Sequence, residues 1–301
     1  MYEQPTSRHQ RLARPRRCLK RLARAGGLAA LALAIGASPA AGAVTIGQTS
    51  ADSEVCEGPL EVLQPTVTAG NAYVVPALGT ITSWSHRAGP SEDDQLTKMK
   101  VFRKIAEPST YQVVAQDGPR MVKPGVLNTF TTNIAVTPGD VLGMTVLGTS
   151  AGNPTSCHFN APGETSLSRF GDDLSGGVAA AFPSVPELRV NISAVVAPSN
   201  AFALGEVRRN KKKGTAALTV SVPNPGQVAL SGKGVKTAAA ARTAKTVPSA
   251  GEVKLRLKAK GKKKRRLNKT GKVTIKPKIT YTPTGGDPST RSLRLKLKRR
   301  L

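Results

Sequence analysis

Few side chains in this sequence have the types and spacing to do covalent or metal chemistry. Gly148-Thr149-Ser150-Ala151-Gly152 fits G-x-S-x-G, the nucleophile elbow of hydrolases. That elbow needs a strand, a sharp turn and a following helix, with an acid and then a histidine later in the chain. Here Asn153-Pro154 opposes a helix, and the one later histidine, His158, follows too closely to arrive from a separate loop. Ser150 therefore reads as part of a Gly/Ser turn, and a hydrolase around it stands only as a remote alternative. His86 and His158 are the only histidines after residue 43, which excludes a site built from several imidazoles. Asp93-Asp94 and Asp172-Asp173 offer hard oxygens, but neither pair has the spacing of a calcium loop, and both read as solvated loop acids. The expectation is a protein that is not an enzyme, with no catalytic group, no metal and no cofactor.

Two other groups of residues suit binding. Trp84, in Thr82-Ser83-Trp84-Ser85-His86, is the only tryptophan and would be the stacking platform of a carbohydrate-binding module. Large rings mostly fill sandwich cores, so the core is the expected place for Trp84, with Tyr73, Tyr111, Phe102 and Phe130. The stronger signal is basic. Lys254, Arg256 and Lys258 alternate with Val253, Leu255 and Leu257. Lys262, Lys263, Lys264, Arg265 and Arg266 form a run, and Arg294, Lys296 and Lys298 alternate with leucines. Readers of single-stranded nucleic acid interleave aromatics with such cations, and duplex readers commonly present a basic helix to the groove. After residue 198 only Phe202 and Tyr281 are aromatic and the alternation is that of strands, so specific nucleic-acid recognition is not expected. Dense negative charge suits these lysines better: anionic cell-wall polymers, lipid head groups or acidic polysaccharides, bound by counterion release.

The chain that must position these residues has 301 residues and a net charge of +27, unevenly spread. Residues 1–43 carry +7, 44–198 carry −5 and 199–301 carry +25, with 28 Lys/Arg against three acids in the last region. The first region joins eight basic residues to a short apolar run, Gly26 to Ala37, and a small-residue site before Val44. This is the pattern of a secretory signal peptide cleaved after Ala43, too short for a spanning helix. Export, to the outside of the cell or loosely onto its envelope, is the expected localisation, and no transmembrane helix is expected in the mature chain. In an oxidising compartment the remaining pair, Cys56 and Cys157, is expected to form a disulfide.

From Val44 to Pro198 the apolar residues alternate or come in short runs between turn pairs such as Pro124-Gly125 and Pro138-Gly139. The predicted strands are NAYVVPAL, GTITSWSHR, TKMKVFRKI, TYQVVAQD, NTFTTNIAV, DVLGMTVLG and ELRVNISAVVAP. They imply an acidic antiparallel β-sandwich of jelly-roll type. Residues 199–301 show cleaner period-two alternation in TAALTVSV, EVKLRLKAK and LRLKLK, with one face apolar and the other charged. A basic, seven-stranded, immunoglobulin-like sandwich fits that length, with GKKKRRLNKTGK as its candidate loop or short helical turn. The fold class is thus all-β, with two domains joined near Pro198-Ser199-Asn200.

The stretches from Phe202 to Lys236 and from Ala250 to Lys298 resemble the lysine-rich C-terminal β-domain of uncharacterised exported proteins of soil actinobacteria. VTIGQTS, YVVPALGTITSW, MKVFR, NTFTTNIAVTPGDVLG and RVNISAVV are similar to the N-terminal domain of a subset of them. The resemblance implies an export signal and β-sandwich domains, and carries no activity.

Overall fold

A computed structural model describes residues 42–90, 94–149, 155–171, 173–236 and 244–301. The expected signal segment, Asp93, Asp172 and Ser150 lie outside the described residues. Among the described residues, apart from one short helix, the regular structure is all β, in antiparallel sheets.

The first sandwich is a jelly roll. One sheet has the order β1-β12-β4-β7, from β1 (Val44–Gln48), β12 (Ile192–Pro198), β4 (Gly79–Arg87) and β7 (Leu127–Val136). The other is built on β3 (Leu60–Leu63), β8 (Val141–Thr149), β5 (Gln95–Ala106) and β6 (Thr110–Val122), paired in that order. In chain order these eight strands make the two Greek keys of a jelly roll. The second sheet is widened at one edge by β9 (Thr155–Phe170) and β11 (Ser184–Val190), with β2 (Glu54–Cys56) on β9, and at the other by β10 (Ala179–Ala181). Between the sheets lie Ile46, Ile81, Trp84, Val101, Leu142, Ile192 and Val196. The outer face of the wide sheet carries a second cluster, Leu63, Phe102, Tyr111 and Val113, covered by Leu174, which precedes β10, and Phe182, which follows it.

Beneath that cover lies a buried ion cluster. Lys100 is fully buried and donates to Glu61, to Asp173 Oδ1 at 2.6 Å and to the Leu174 carbonyl at 2.7 Å. A lysine so placed is tolerable only because every donor is matched by an oxygen. The disulfide Cys56–Cys157 closes a separation of 101 residues and ties β2 to β9.

The basic sandwich has two principal sheets. The first is β13 (Ala203–Asn210), β14 (Thr215–Val222) and β17 (Gly251–Lys258), in that order. The second is β16 (Ala244–Val247), β15 (Gly226–Ser231), β19 (Lys278–Pro283) and β20 (Ser289–Ser292). Seven strands in orders A-B-E and C′-C-F-G are those of an immunoglobulin-like sandwich. The last hairpin is broken, because Pro277 has no N–H for the ladder, and it resumes as β18 (Lys272–Ile275) paired with β21 (Leu295–Lys298). Leu218, Val220, Val228, Val253, Leu255, Ile279, Tyr281 and Leu297 share one core.

Two sequence expectations differ from this fold. GKKKRRLNKT is a full helix, α1 (Gly261–Thr270), ended by Gly271 in the left-handed conformation, φ 63°. Six of its ten residues are cations, so it is held by its ends and by Leu267, its one buried residue. Leu267 sits over Gly214 of the turn after β13, where an added Cβ would lie 2.9 Å from its methyl. NAYVVPAL, expected as a strand, contributes only one isolated bridge, Val74 to Val141. It crosses between sheets as a corner, burying Tyr73, Val75 and Ala77.

The two sandwiches meet through a buried amide. Asn224, 1% exposed in the turn after β14, accepts from Leu78 N at 2.8 Å and donates to the Leu78 and Ser199 carbonyls. Tyr281 donates its hydroxyl to the Asn224 carbonyl, and Asn200 reaches the Asp287 carbonyl in the β19–β20 turn. The joint expected at Pro198-Ser199-Asn200 is therefore a hydrogen-bonded contact.

Candidate polyanion-binding surface

Several candidate residues have other tasks. Trp84 is 0% exposed; its indole N–H donates to Asp117 at 2.7 Å and its ring stacks on Phe130 at 4.7 Å between centroids. No face is left for a sugar, so the platform alternative is corrected to a core role. His86 is fully buried, with Nδ1 2.5 Å from the Asn191 carbonyl, and burial lowers its pKa to about 4. His158, likewise lowered to about 4 by burial, lies between the disulfide sulfurs and the Ser166 hydroxyl. Among the described residues one group of His, Cys, Asp or Glu has metal-ligand proximity, Cys56, Cys157 and His158, and both thiols are in the disulfide. Asp173 is engaged by Lys98 and Lys100. Burial alone would raise its pKa, but hydrogen bonds and charge from these two lysines outweigh it and leave the carboxyl below its ordinary value. The segment holding Ser150 runs from β8 into β9, a strand where the elbow needs a helix.

The basic side chains gather at one end of the second sandwich. Alternation sends Leu255 and Leu257 inward and leaves Lys254 and Arg256 exposed, with Lys258 half-buried. Lys262, Lys264, Arg265 and Arg266 are exposed on α1 and Lys263 half-buried; Arg294, Lys296 and Lys298 are exposed along the last strand. The turn between β13 and β14 adds Lys211, Lys212 and Lys213, and the chain end adds Arg299 and Arg300. Turn, helix and chain end all lie at the pole away from Asn224, since β14 and β19 run toward the joint and β13, β17 and β21 away from it. Two of the three acids sit at the joint end: Asp287 in the turn after β19 and Glu252 at the start of β17.

This pole is indented. A cleft of about 870 Å³ is lined by Arg208, Arg209, Lys211 to Lys213, Lys254, Arg256 and Arg300, with Thr215 and Ala217 between them. A second, of about 300 Å³, shares Lys213, Thr215 and Arg256 with it and adds Lys236, Lys258 and Lys264. A third, of about 530 Å³, shares Lys211 and Arg300 and adds Lys272, Lys296 and Lys298. A fourth, of about 360 Å³, joins Lys263 and Arg266 of α1 to Arg294 and Lys296. No acidic residue lines any of them.

The charge is also uncompensated. Among the described residues of this sandwich one ion pair forms, Arg208 to Glu206, and it is exposed. Lys272 stands directly opposite Lys298 in the ladder, a like-charge pair that costs stability. The charge of Arg256, with burial and the charges of Lys236 and Lys213, holds Lys258 below its ordinary pKa. Sequence alternation identified the cations of β17, α1 and β21. It missed Arg208, Arg209, Lys211 to Lys213 and Arg300, whose contribution depends on the fold bringing the first turn and the chain end beside β17. The signal was present in Arg-Arg-Asn-Lys-Lys-Lys, a run at a strand end.

Among the described residues no helix is long and apolar enough to cross a membrane. No protein-family model and no curated protein matches the chain.

Proposed function

We propose that this is an exported, non-enzymatic protein whose basic sandwich adheres electrostatically to anionic polymers or lipid head groups of the cell envelope. The jelly roll is the module so displayed, either binding a partner or serving as structure. The observation that carries this reading is the placement of the charge: cations from four separate chain segments converge on one pole, around clefts without a single acid. Charge kept only for solubility has no reason to converge, and interspersed signs serve that purpose better. Export is supported by the signal pattern ahead of Val44 and by the disulfide.

Fractionation of producing cells with a graded salt wash tests the proposal. The protein starting at Val44 is expected on the envelope at low salt and free after a wash at about 0.5 M, where the Debye length is about 4 Å. Protein already free in the medium at low salt would overturn it.

A further inference from the structure

We infer that the basic pole holds a linear phosphodiester-linked polyanion, laid along a gutter on the outer face of the β13–β14–β17 sheet. The inference rests on the adhesion reading above and names its ligand class.

The register builds the gutter. Arg208 of β13, Ala217 of β14 and Arg256 of β17 lie side by side, and Asn210, Thr215 and Lys258 form the next row. Thr219 of the central strand faces Lys254 in the same way. The middle strand thus presents Thr215, Ala217 and Thr219 outward, all small, between Lys254, Arg256 and Lys258 of β17 on one side and, on the other, Asn210 and Arg208 of β13, the arginine ion-paired with Glu206. With strands about 4.8 Å apart, the walls stand about 10 Å from each other across a low floor. That width admits a single extended chain. Along β17 the alternation places Lys254, Arg256 and Lys258 about 6.8 Å apart on one face. This is close to the interval between phosphates on an extended chain whose repeat is a short polyol or a sugar. The Arg256 fork, and that of Arg208 on exchanging Glu206 for the ligand, match the paired free oxygens of a phosphodiester. At the distal end the gutter opens onto Lys211 to Lys213 and Arg300, from which the neighbouring clefts continue to Lys298 and Lys272.

A membrane fits this shape less well. A flat lipid surface cannot enter a gutter, and peripheral binders insert Trp, Phe or Leu between head groups. Among the described residues of the basic sandwich Leu301 is the only exposed large hydrophobic side chain. The cations also face several directions around the pole, which a chain can follow and a plane cannot.

The test uses the chain from Val44 to Leu301, which holds both sandwiches. Polyol-phosphodiester oligomers of graded length, polygalacturonate of matched length and phosphatidylglycerol vesicles serve as probes, with affinity read by calorimetry at several salt concentrations. Affinity for the phosphodiester chain is expected to rise with length and then level off as the gutter fills. Arg256→Gln is expected to reduce the slope of log K against log salt by about 1. Ala217→Leu removes no charge but raises the floor, and is expected to weaken the long oligomer at least tenfold, on the order of what a lost fit costs, while leaving vesicle adherence unchanged. Circular dichroism and the assigned ring resonances of Tyr281 verify that both variants fold. Binding to chains and vesicles alike, without length dependence and with Ala217→Leu silent, would overturn the gutter but leave adhesion standing. Preference for polygalacturonate would overturn the phosphodiester assignment. No binding to any probe at low salt would remove the adhesion reading as well.

Discussion

Acidification should unfold the jelly roll while leaving the basic sandwich intact. His86 is fully buried and His158 3% exposed, and burial lowers both pKa values from 6.5 to about 4. A histidine depressed in the folded state binds its proton in the unfolded chain first, so its stabilisation is complete above pH 6.5 and is lost as pH falls toward 4. At pH 4.5 each histidine has lost about 2.5 kcal/mol relative to pH 7, and the two together about 5 kcal/mol. With a urea slope of about 2 kcal/mol per M, the unfolding midpoint should fall by about 2 to 3 M. The carboxylates, with ordinary unfolded values near 4, contribute mainly below this window. Trp84 is the only tryptophan and lies in the jelly-roll core, so its emission reports that sandwich alone; because Tyr73 and Tyr111 also emit from the jelly roll, the other sandwich, which contains no histidine, is followed by the assigned ring resonances of Tyr281. Urea titrations from pH 7 to 4.5, followed by both signals, should show the Trp84 midpoint moving and the Tyr281 midpoint still. A tryptophan midpoint constant over that range, or a shift unchanged in His86→Gln/His158→Gln, would refute the reasoning.

Other outcomes follow from single contacts. Lys100→Met should cost about 3–5 kcal/mol, because it leaves the Glu61 carboxylate buried without its cation, and Glu61→Gln in the same chain should restore part of that loss in urea unfolding. Reducing Cys56–Cys157 frees a separation of 101 residues and should destabilise the jelly roll by about 4 to 5 kcal/mol, shifting the Trp84 transition and not that of Tyr281. Asn224→Ala orphans Leu78 N and the Ser199 carbonyl and should cost about 2–4 kcal/mol at the joint, seen as a broader small-angle scattering profile and as separated melting of the sandwiches. An unchanged profile with a single transition would show that the amide does not couple them.

How much of this was legible depended on whether a strand has one wet face. In β14, β17 and β21 one side is apolar and the other polar or charged, so period two gave the strand, its inward residues and its cations together. In β9 the sequence reads Thr-Ser-Cys-His-Phe-Asn-Ala-Pro-Gly-Glu, and no alternation shows. That strand is the pairing partner of β2, β3 and β11 and buries His158, Glu164 and Ser166; the distant Arg189 and Thr68 satisfy Glu164, while His158 and Ser166 bond each other. Lys100 likewise reads as an exposed residue in Thr-Lys-Met-Lys-Val-Phe, and only the segment folding over it through Leu174 makes it a buried one. The Cys56–Cys157 pair could be expected because only two cysteines follow residue 43. The direction in which Trp84 faces could not, since its flanking serines suit either side of a sheet.

The gutter belongs to a further class, visible neither in one strand nor in composition. Each strand of the β13–β14–β17 sheet has an ordinary pattern by itself: small residues on the middle one, cations on β17, and Arg208 with Glu206 and Asn210 on β13. What makes a channel is register, because a slip of one residue in β14 would turn Leu218 and Val220 outward and bring Ala217 into the core. The apolar face fixes the register, and the register then fixes which small residue lies between Arg208 and Arg256. The hydrophobic core is therefore the device that aligns the cations, and it does so at a cost. Like charges face one another across β18 and β21, α1 carries Lys262 and Arg266 one turn apart without an acid to relieve them, and Lys258 is discouraged from ionising. A polyanion laid in the gutter relieves the repulsion between Arg256 and Lys258, so the bound state should be more stable to urea than the free one, with the gain confined to the Tyr281 transition.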